Sequence, residues 1–440
     1  MKLNVAKKAD PIFTHEGGKA DKITPLQELR RTLMTCLLWE DTFYESGSSI
    51  ASRMAELVKK VKPEDVAALA IIARNDMYLR HAPLFLVREL ARIKGNGSLV
   101  ADTLHQIIQR PDELTEYVAI YWKDKKQPLS AGSKRGLAAA FQKFNEYQLA
   151  KWNKDGAIKL RDVLFLCHAK PNDEAQADLW KRLIDGDLET PETWEVMLSA
   201  GKDKKATFEY LIQSGKLGGM AFLRNLRNMR DAGVSKSVAA SRLDGGFDKI
   251  LPFRFVTAAR IVPQWQDIIE NAMLKSLDGV KKLSGHTGIL VDVSGSMGDP
   301  ISEKSETTRI DAASGLAILI REISSTCSIG GYDTRFYPVQ PVRGFAIAEA
   351  FRRMSHGGTD TSHILNQLRS NDEWFKLDRL IVITDEQHSD GRIPQAWAKN
   401  SYIINVGSYK NGTGYSNGWN HIDGWSDRII DYIVELEGQK

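Results

Sequence analysis

Cysteine is scarce: the 440 residues hold three, Cys36, Cys167 and Cys327, far apart and with no CxxC pair. This excludes a disulfide scaffold and a cysteine zinc knuckle, and it fits a reducing compartment. Long apolar runs are missing as well. None reaches the roughly 18 to 20 residues that a bilayer span requires, so no membrane partner is expected. The opening stretch, MKLNVAKKADPIFTHEGGKADK, lacks the apolar core of a secretory signal, which makes a cytoplasmic location the expectation.

What is present is the composition of a folded chain, 42% apolar and 26% charged. At this length one core rarely organises everything, so two or more domains are expected. Charge divides unevenly along the chain. From residue 284 onward there are 15 Lys/Arg against 20 Asp/Glu, and before it 45 against 36. The basic excess therefore belongs to the first two thirds, as in a polyanion-binding region joined to a part with another task; uneven surface charge is the bland alternative.

The first two thirds read as helix after helix. Thr24-Pro25 places a cap and an N1 proline before Leu26, Leu29, Leu33 and Leu37, which share one helical face. Pro63 opens a second helix and Pro83 a third, which stops at Gly95-Asn96-Gly97. Ser133 is the expected cap of a helix bearing Leu137, Phe141 and Phe144, and Thr190-Pro191 repeats the cap-plus-proline device before Gly201. Short turns between amphipathic helices suggest stacked helical hairpins of HEAT or armadillo type, with no clean repeat period.

The character changes near Leu283-Ser284-Gly285, which gives domains 1–283 and 284–440. Strands are expected at 287–292, 328–332, 335–339, 379–384 and 401–406, the last following a helix. Further helices are expected at 312–323, 345–354, 364–368 and 429–436. Apolar strands alternating with helices imply a doubly wound α/β domain with a parallel sheet covered on both faces.

In such a domain ligands bind at the C-terminal ends of the strands. Three polar clusters fall there: Asp292-Val-Ser294-Gly-Ser296, Gly357-Gly358-Thr359-Asp360-Thr361 and Thr384-Asp385-Glu386. Carboxylate and hydroxyl oxygens suit a hard divalent cation, Mg²⁺ or Mn²⁺. DVSGSM, GGT and TD in this order resemble the metal-ion-dependent adhesion site of von Willebrand factor A domains. That resemblance implies that Asp292, Ser294, Ser296, Thr359 and Asp385 hold the ion directly or through water.

Catalytic readings are weaker. A nucleophile elbow GxSxG needs glycine where Asp292 stands, and the His356-Gly357-Gly358 run lies after the serine instead of before it. Metal-dependent hydrolysis is open in principle, but no motif places a His or Glu base. A-type domains generally use the ion to capture a partner's carboxylate.

The densest basic stretch, residues 121–161, interleaves lysines and arginines, Lys134, Arg135 and Lys151 among them, with Tyr121, Trp122, Tyr147 and Trp152. Single-stranded RNA surfaces combine cations for phosphates with aromatics for stacking, although solvated lysines around buried aromatics give the same pattern. In MAFLRNLRNMR (220–230), Arg224 and Arg227 share a helix face beside a Leu223/Leu226 stripe.

A basic helical region joined to an A-type domain resembles the Ro autoantigen family, whose members carry the TROVE domain. GGMAFLRNLRNM (218–229), LPFRF (251–255) and KLRDVLFLCHAKP (159–171) are similar to segments of that family. The resemblance implies a ring of HEAT-like repeats closed by the A domain. It implies a basic outer face for small Y-like RNAs and a central hole for single-stranded 3′ ends of misfolded or maturing RNA. Family residues contacting RNA near the hole fall on Lys151 and His168. A position that is usually arginine falls on Asp155, a departure for which Lys154 is the nearest substitute. The resulting expectation is a monomeric, non-enzymatic RNA chaperone, or a tether that delivers RNA to an exoribonuclease. The alternative is a helical-repeat adaptor whose A domain captures an acidic partner through its metal ion.

Overall fold

The computed structural model describes residues 11–438 apart from 243–246, 248, 249 and 408. Between Pro25 and Leu274 the described residues form helices, beginning with Pro25–Met34. There the Thr24 hydroxyl accepts from the Gln27 N–H, and the Thr24 N–H donates to Gln27 Oε1. Leu29 and Leu33 are fully buried, while Leu37 lies beyond the helix end.

Successive helices pack as layers tied by buried polar contacts. Arg74 of helix Pro63–Asn75 donates to Glu113 of helix Pro111–Tyr121 at 2.6 Å. Helix Ala131–Phe141 lies so close to helix Gly97–Ile107 that a Cβ at Gly132 would stand 2.4 Å from the Gly97 carbonyl oxygen. Only glycine allows that approach.

Some helix starts differ from expectation. Ser130, not Ser133, caps helix Ala131–Phe141; the Ser133 hydroxyl is instead buried 2.7 Å from the Tyr117 hydroxyl. Thr193, not Thr190, caps helix Trp194–Ser199, because Thr193 is the residue whose hydroxyl reaches a free helical N–H, that of Val196. Helix His81–Ala91 begins two positions before Pro83. A proline in the first turn interrupts no hydrogen bond there.

The C-terminal part is a six-stranded sheet: β1 (Leu283–Asp292), β2 (Ser324–Tyr332), β3 (Phe336–Val339), β4 (Arg379–Thr384), β5 (Asn400–Asn405) and β6 (Asn420–Asp423). The spatial order is β3-β2-β1-β4-β5-β6, with every pair parallel except β2–β3. β1 and β4 are buried at their C-terminal ends and flanked by helices, among them Arg309–Ile323. The helix expected before β5 is absent: residues 385–399 contain none. Gly391 and Pro394 break the segment, and side-chain bonds hold it instead, such as Trp397 Nε1 to the Trp374 carbonyl at 2.9 Å. Strand β6 lies beyond the strands expected from sequence.

The helical array starts and finishes on this sheet domain. Arg31, in the first helix, pairs with Glu386 just past β4, both side chains being inaccessible to solvent. At the other end, helix Pro252–Ile261 packs on helix Arg309–Ile323, and Phe253 meets Trp425 edge-on at 6.1 Å. The chain is thus a helical-repeat ring closed by a doubly wound α/β domain. Residues 11–21 also lie on that domain: Thr14 donates to the His388 carbonyl at 2.6 Å, and Asp21 pairs with Arg392 at 3.0 Å.

Candidate metal centre and nucleic-acid interface

The sheet reverses direction of growth at β1 and β4, so the loops after these neighbouring strands diverge and leave a crevice. Asp292 ends β1 and Asp385 follows β4; both are fully buried. The Thr384 hydroxyl donates to Asp292 Oδ2 at 2.6 Å, and the Ser294 N–H to Oδ1 at 2.9 Å. Ser296 donates to Asp385 Oδ2 at 2.8 Å, while the Ser294 and Ser296 hydroxyls stand 3.5 Å apart. The Gly295 N–H donates to the Gly357 carbonyl at 2.9 Å, which docks the serine loop on the loop carrying Thr359. Thr359 is itself buried, and its carbonyl accepts from Ser389.

Burial, with repulsion from Asp385 second, pushes the Asp292 carboxyl up to about 7. Two buried carboxylates facing one another favour a positive charge between them. The donor set fits a hard divalent cation: two carboxylates and hydroxyls, with no nitrogen or sulfur ligand. Among the described residues no three His, Cys, Asp or Glu gather into a metal cluster, so the hydroxyls of Ser294, Ser296 and Thr359 would have to complete the shell with water.

Two neighbours of this site escaped the sequence. The Tyr44 hydroxyl donates to Asp385 Oδ2, and Arg309 Nη1 stands 3.9 Å from the same oxygen. Neither belongs to a local motif, and no sequence signal marks them.

The basic candidates fall into two groups. Lys151 and Arg224 line one cavity of about 620 Å³, together with Arg80, Arg110, Trp152 and Lys154. Trp152 ends helix Glu146–Trp152, and the Arg110 guanidinium lies over its ring at 3.8 Å, with Lys154 at 5.3 Å and Lys151 at 5.8 Å. Asp112 holds both Arg80 and Arg110. Lys151, Lys154 and Arg224 have no carboxylate partner among the described residues, so their charge is open to a ligand. Arg224 also lines a neighbouring cavity of about 520 Å³ with Arg227, Arg254 and Lys304. Arg254 was missed, although it sits in the LPFRF run singled out for another reason.

Lys134, Arg135 and His168 line neither cavity. Lys134 and Arg135 lie on helix Ala131–Phe141, the first half-buried and the second exposed. His168 is exposed at the end of helix Leu160–Cys167 in a left-handed conformation with φ +53°. The structure therefore does not place His168 beside Lys151 on one cavity wall. Asp155 is exposed and tied to Lys159 at 2.7 Å.

Residues 181–263 match the family profile described as TROVE domain. That stretch of the chain is similar to a TROVE domain. The segments 218–229 and 251–255 lie within that match, and 159–171 precedes it. The crystal structure of the Deinococcus radiodurans RO (RSR) protein is similar across 93% of this chain and 98% of its own, with a TM-score of 0.57 and 16% identity. That likeness shows a shared fold, a helical ring with an α/β domain. Telomerase protein component 1 of Mus musculus is 40% identical over 85 residues, 16% of this chain. The chain spans 3% of the length of that relative. Among the described residues no helix is long and apolar enough to cross a membrane.

Proposed function

We propose that this chain is a TROVE-domain protein that binds RNA without catalysing a reaction on it, taking single-stranded 3′ ends into the cavities lined by Lys151 and Arg224. The observation that carries this reading is the Trp152 cluster: an aromatic ring among cations on a cavity wall, two of which, Lys151 and Lys154, have no carboxylate partner among the described residues. Stacking on aromatics and charge for phosphates are what sequence-tolerant single-strand binding requires. Lys134, Arg135 and His168, away from the cavities, suit a folded small RNA of Y-like type on the outer face. In the cell such a protein works as an RNA chaperone in quality control, or as a tether for an exoribonuclease, in the cytoplasm and as a monomer. The Asp292–Asp385 site takes Mg²⁺ or Mn²⁺.

Gel-shift titrations at several salt concentrations, with tailed and blunt versions of one hairpin, test the reading. Lys151→Gln with Arg224→Gln is expected to weaken the tailed RNA selectively. Each lost phosphate contact on a single strand lowers the slope of log affinity against log salt by about 0.7. Equal loss for both RNAs would assign these residues to general charge, and no loss would move the RNA site elsewhere.

A further inference from the structure

The metal-site loops are roofed by the helical part of the chain. Segment 39–46 follows the first helix and is pinned across the serine loop's continuation. The Glu303 N–H donates to the Asp41 carbonyl at 2.8 Å, and the Ser302 hydroxyl to the Glu40 carboxylate at 2.5 Å. Tyr44 hangs from this segment, 9% exposed, in an aromatic group with His15, Phe43 and Tyr409 drawn from three separate stretches of chain. Its hydroxyl occupies a lone pair of Asp385.

Arg309 completes the roof from the other side. It is 1% exposed, its guanidinium lies 4.7 Å over the Tyr44 ring, and its Nη1 donates to the Ser296 carbonyl at 2.6 Å. The same nitrogen faces Asp385 Oδ2. A fixed cation at the site's own carboxylate, shielded from solvent, repels a second cation far more than a surface arginine does. The two carboxylates thus have an internal counter-charge of one.

We infer that Arg309 and Tyr44 compete with the divalent ion for Asp385, so that the chain itself sets the affinity of this site and covers the face that an acidic partner would use. The inference rests on the metal reading above. It leaves capture of an external carboxylate to states in which segment 39–46 has lifted.

Titration with Mn²⁺ alone, followed by calorimetry and by water-proton relaxation, tests it on the full chain. Arg309→Gln is expected to bind Mn²⁺ about tenfold or more tightly than wild type. Arg309→Lys, which keeps the charge, should stay near wild type. Tyr44→Phe keeps the ring, removes only the hydroxyl, and should give a smaller gain; it serves where Arg309→Gln lowers the melting temperature too far to titrate. Equal Mn²⁺ affinity in wild type, Arg309→Gln and Tyr44→Phe would overturn the competition and leave the metal site standing. A gain in Arg309→Lys as large as in Arg309→Gln would overturn it too, since packing and not charge would be the cause. No Mn²⁺ binding by any of the proteins would overturn both readings.

Discussion

Asp292 and Asp385 are 93 positions apart in sequence order yet share one crevice, and each could be named from the sequence because its immediate neighbours carry the signal. A DxSxS loop packs its ligands within five residues, and TD ends the most apolar strand. Tyr44 and Arg309 had no such signal. Their contacts with Asp385 cross the chain, and a tyrosine or arginine without its fold looks like any other. Trp152 was visible as one aromatic among several, but its partner Arg110 was not. At this scale the expected outcome concerns charge. Asp292→Ala removes one of the two carboxylates and should abolish Mn²⁺ binding. Ser294→Ala and Ser296→Ala remove neutral donors and should weaken it less. RNA affinity should be unchanged in all three. Calorimetric titration checks the first two statements, and Mn²⁺ binding that survives Asp292→Ala would refute the site.

Elements were legible where local chemistry decides them. The Thr24-Pro25 start needs only a cap, a proline and a glutamine at the right spacing, and β4 needs only a short β-branched apolar run. Legibility failed where a remote partner decides. Ser133 looks like a cap until Tyr117 claims its hydroxyl, and residues 385–399 look able to form a crossover helix until tertiary bonds hold them in an irregular path. The NHID segment is too short and polar to read as β6, yet β5 supplies its ladder. Between helical layers the same holds for Arg74 and Glu113. Glu113 is fully buried and also accepts from the Gln109 and Arg110 N–H groups at 2.7 and 3.1 Å. Its removal strands a buried guanidinium and two backbone donors. Glu113→Ala is therefore expected to destabilise the protein by about 3–5 kcal/mol, measured by urea denaturation. A loss under about 1 kcal/mol would be the behaviour of an exposed pair and would contradict the buried arrangement.

On the scale of the whole molecule, the ring closes through a polar junction as well as an apolar one. Glu386, with φ +60°, turns its carboxylate to Arg31 on one side and to His421 Nε2 at 2.8 Å on the other. His421 also faces Asp423 at 3.5 Å and stacks on Tyr415 at 3.7 Å. Burial holds the His421 imidazole below its ordinary 6.5; Asp423 pulls it upward, and Arg31 and Arg30 push it down. The folded junction therefore keeps this histidine neutral, whereas the unfolded chain takes up a proton near pH 6.5. Where the unfolded state binds more protons, stability rises with pH. The contribution of His421 is thus fully present above about pH 6.5 and is lost progressively as pH falls below it. His388, also lowered by burial, acts in the same direction. Melting temperature is expected to fall between about pH 7 and pH 5, and His421→Gln, which cannot titrate, should flatten that fall without removing it. An equally steep profile in His421→Gln would mean that the junction does not sense protons, and that the slope comes from His388 or from carboxylates elsewhere in the ring.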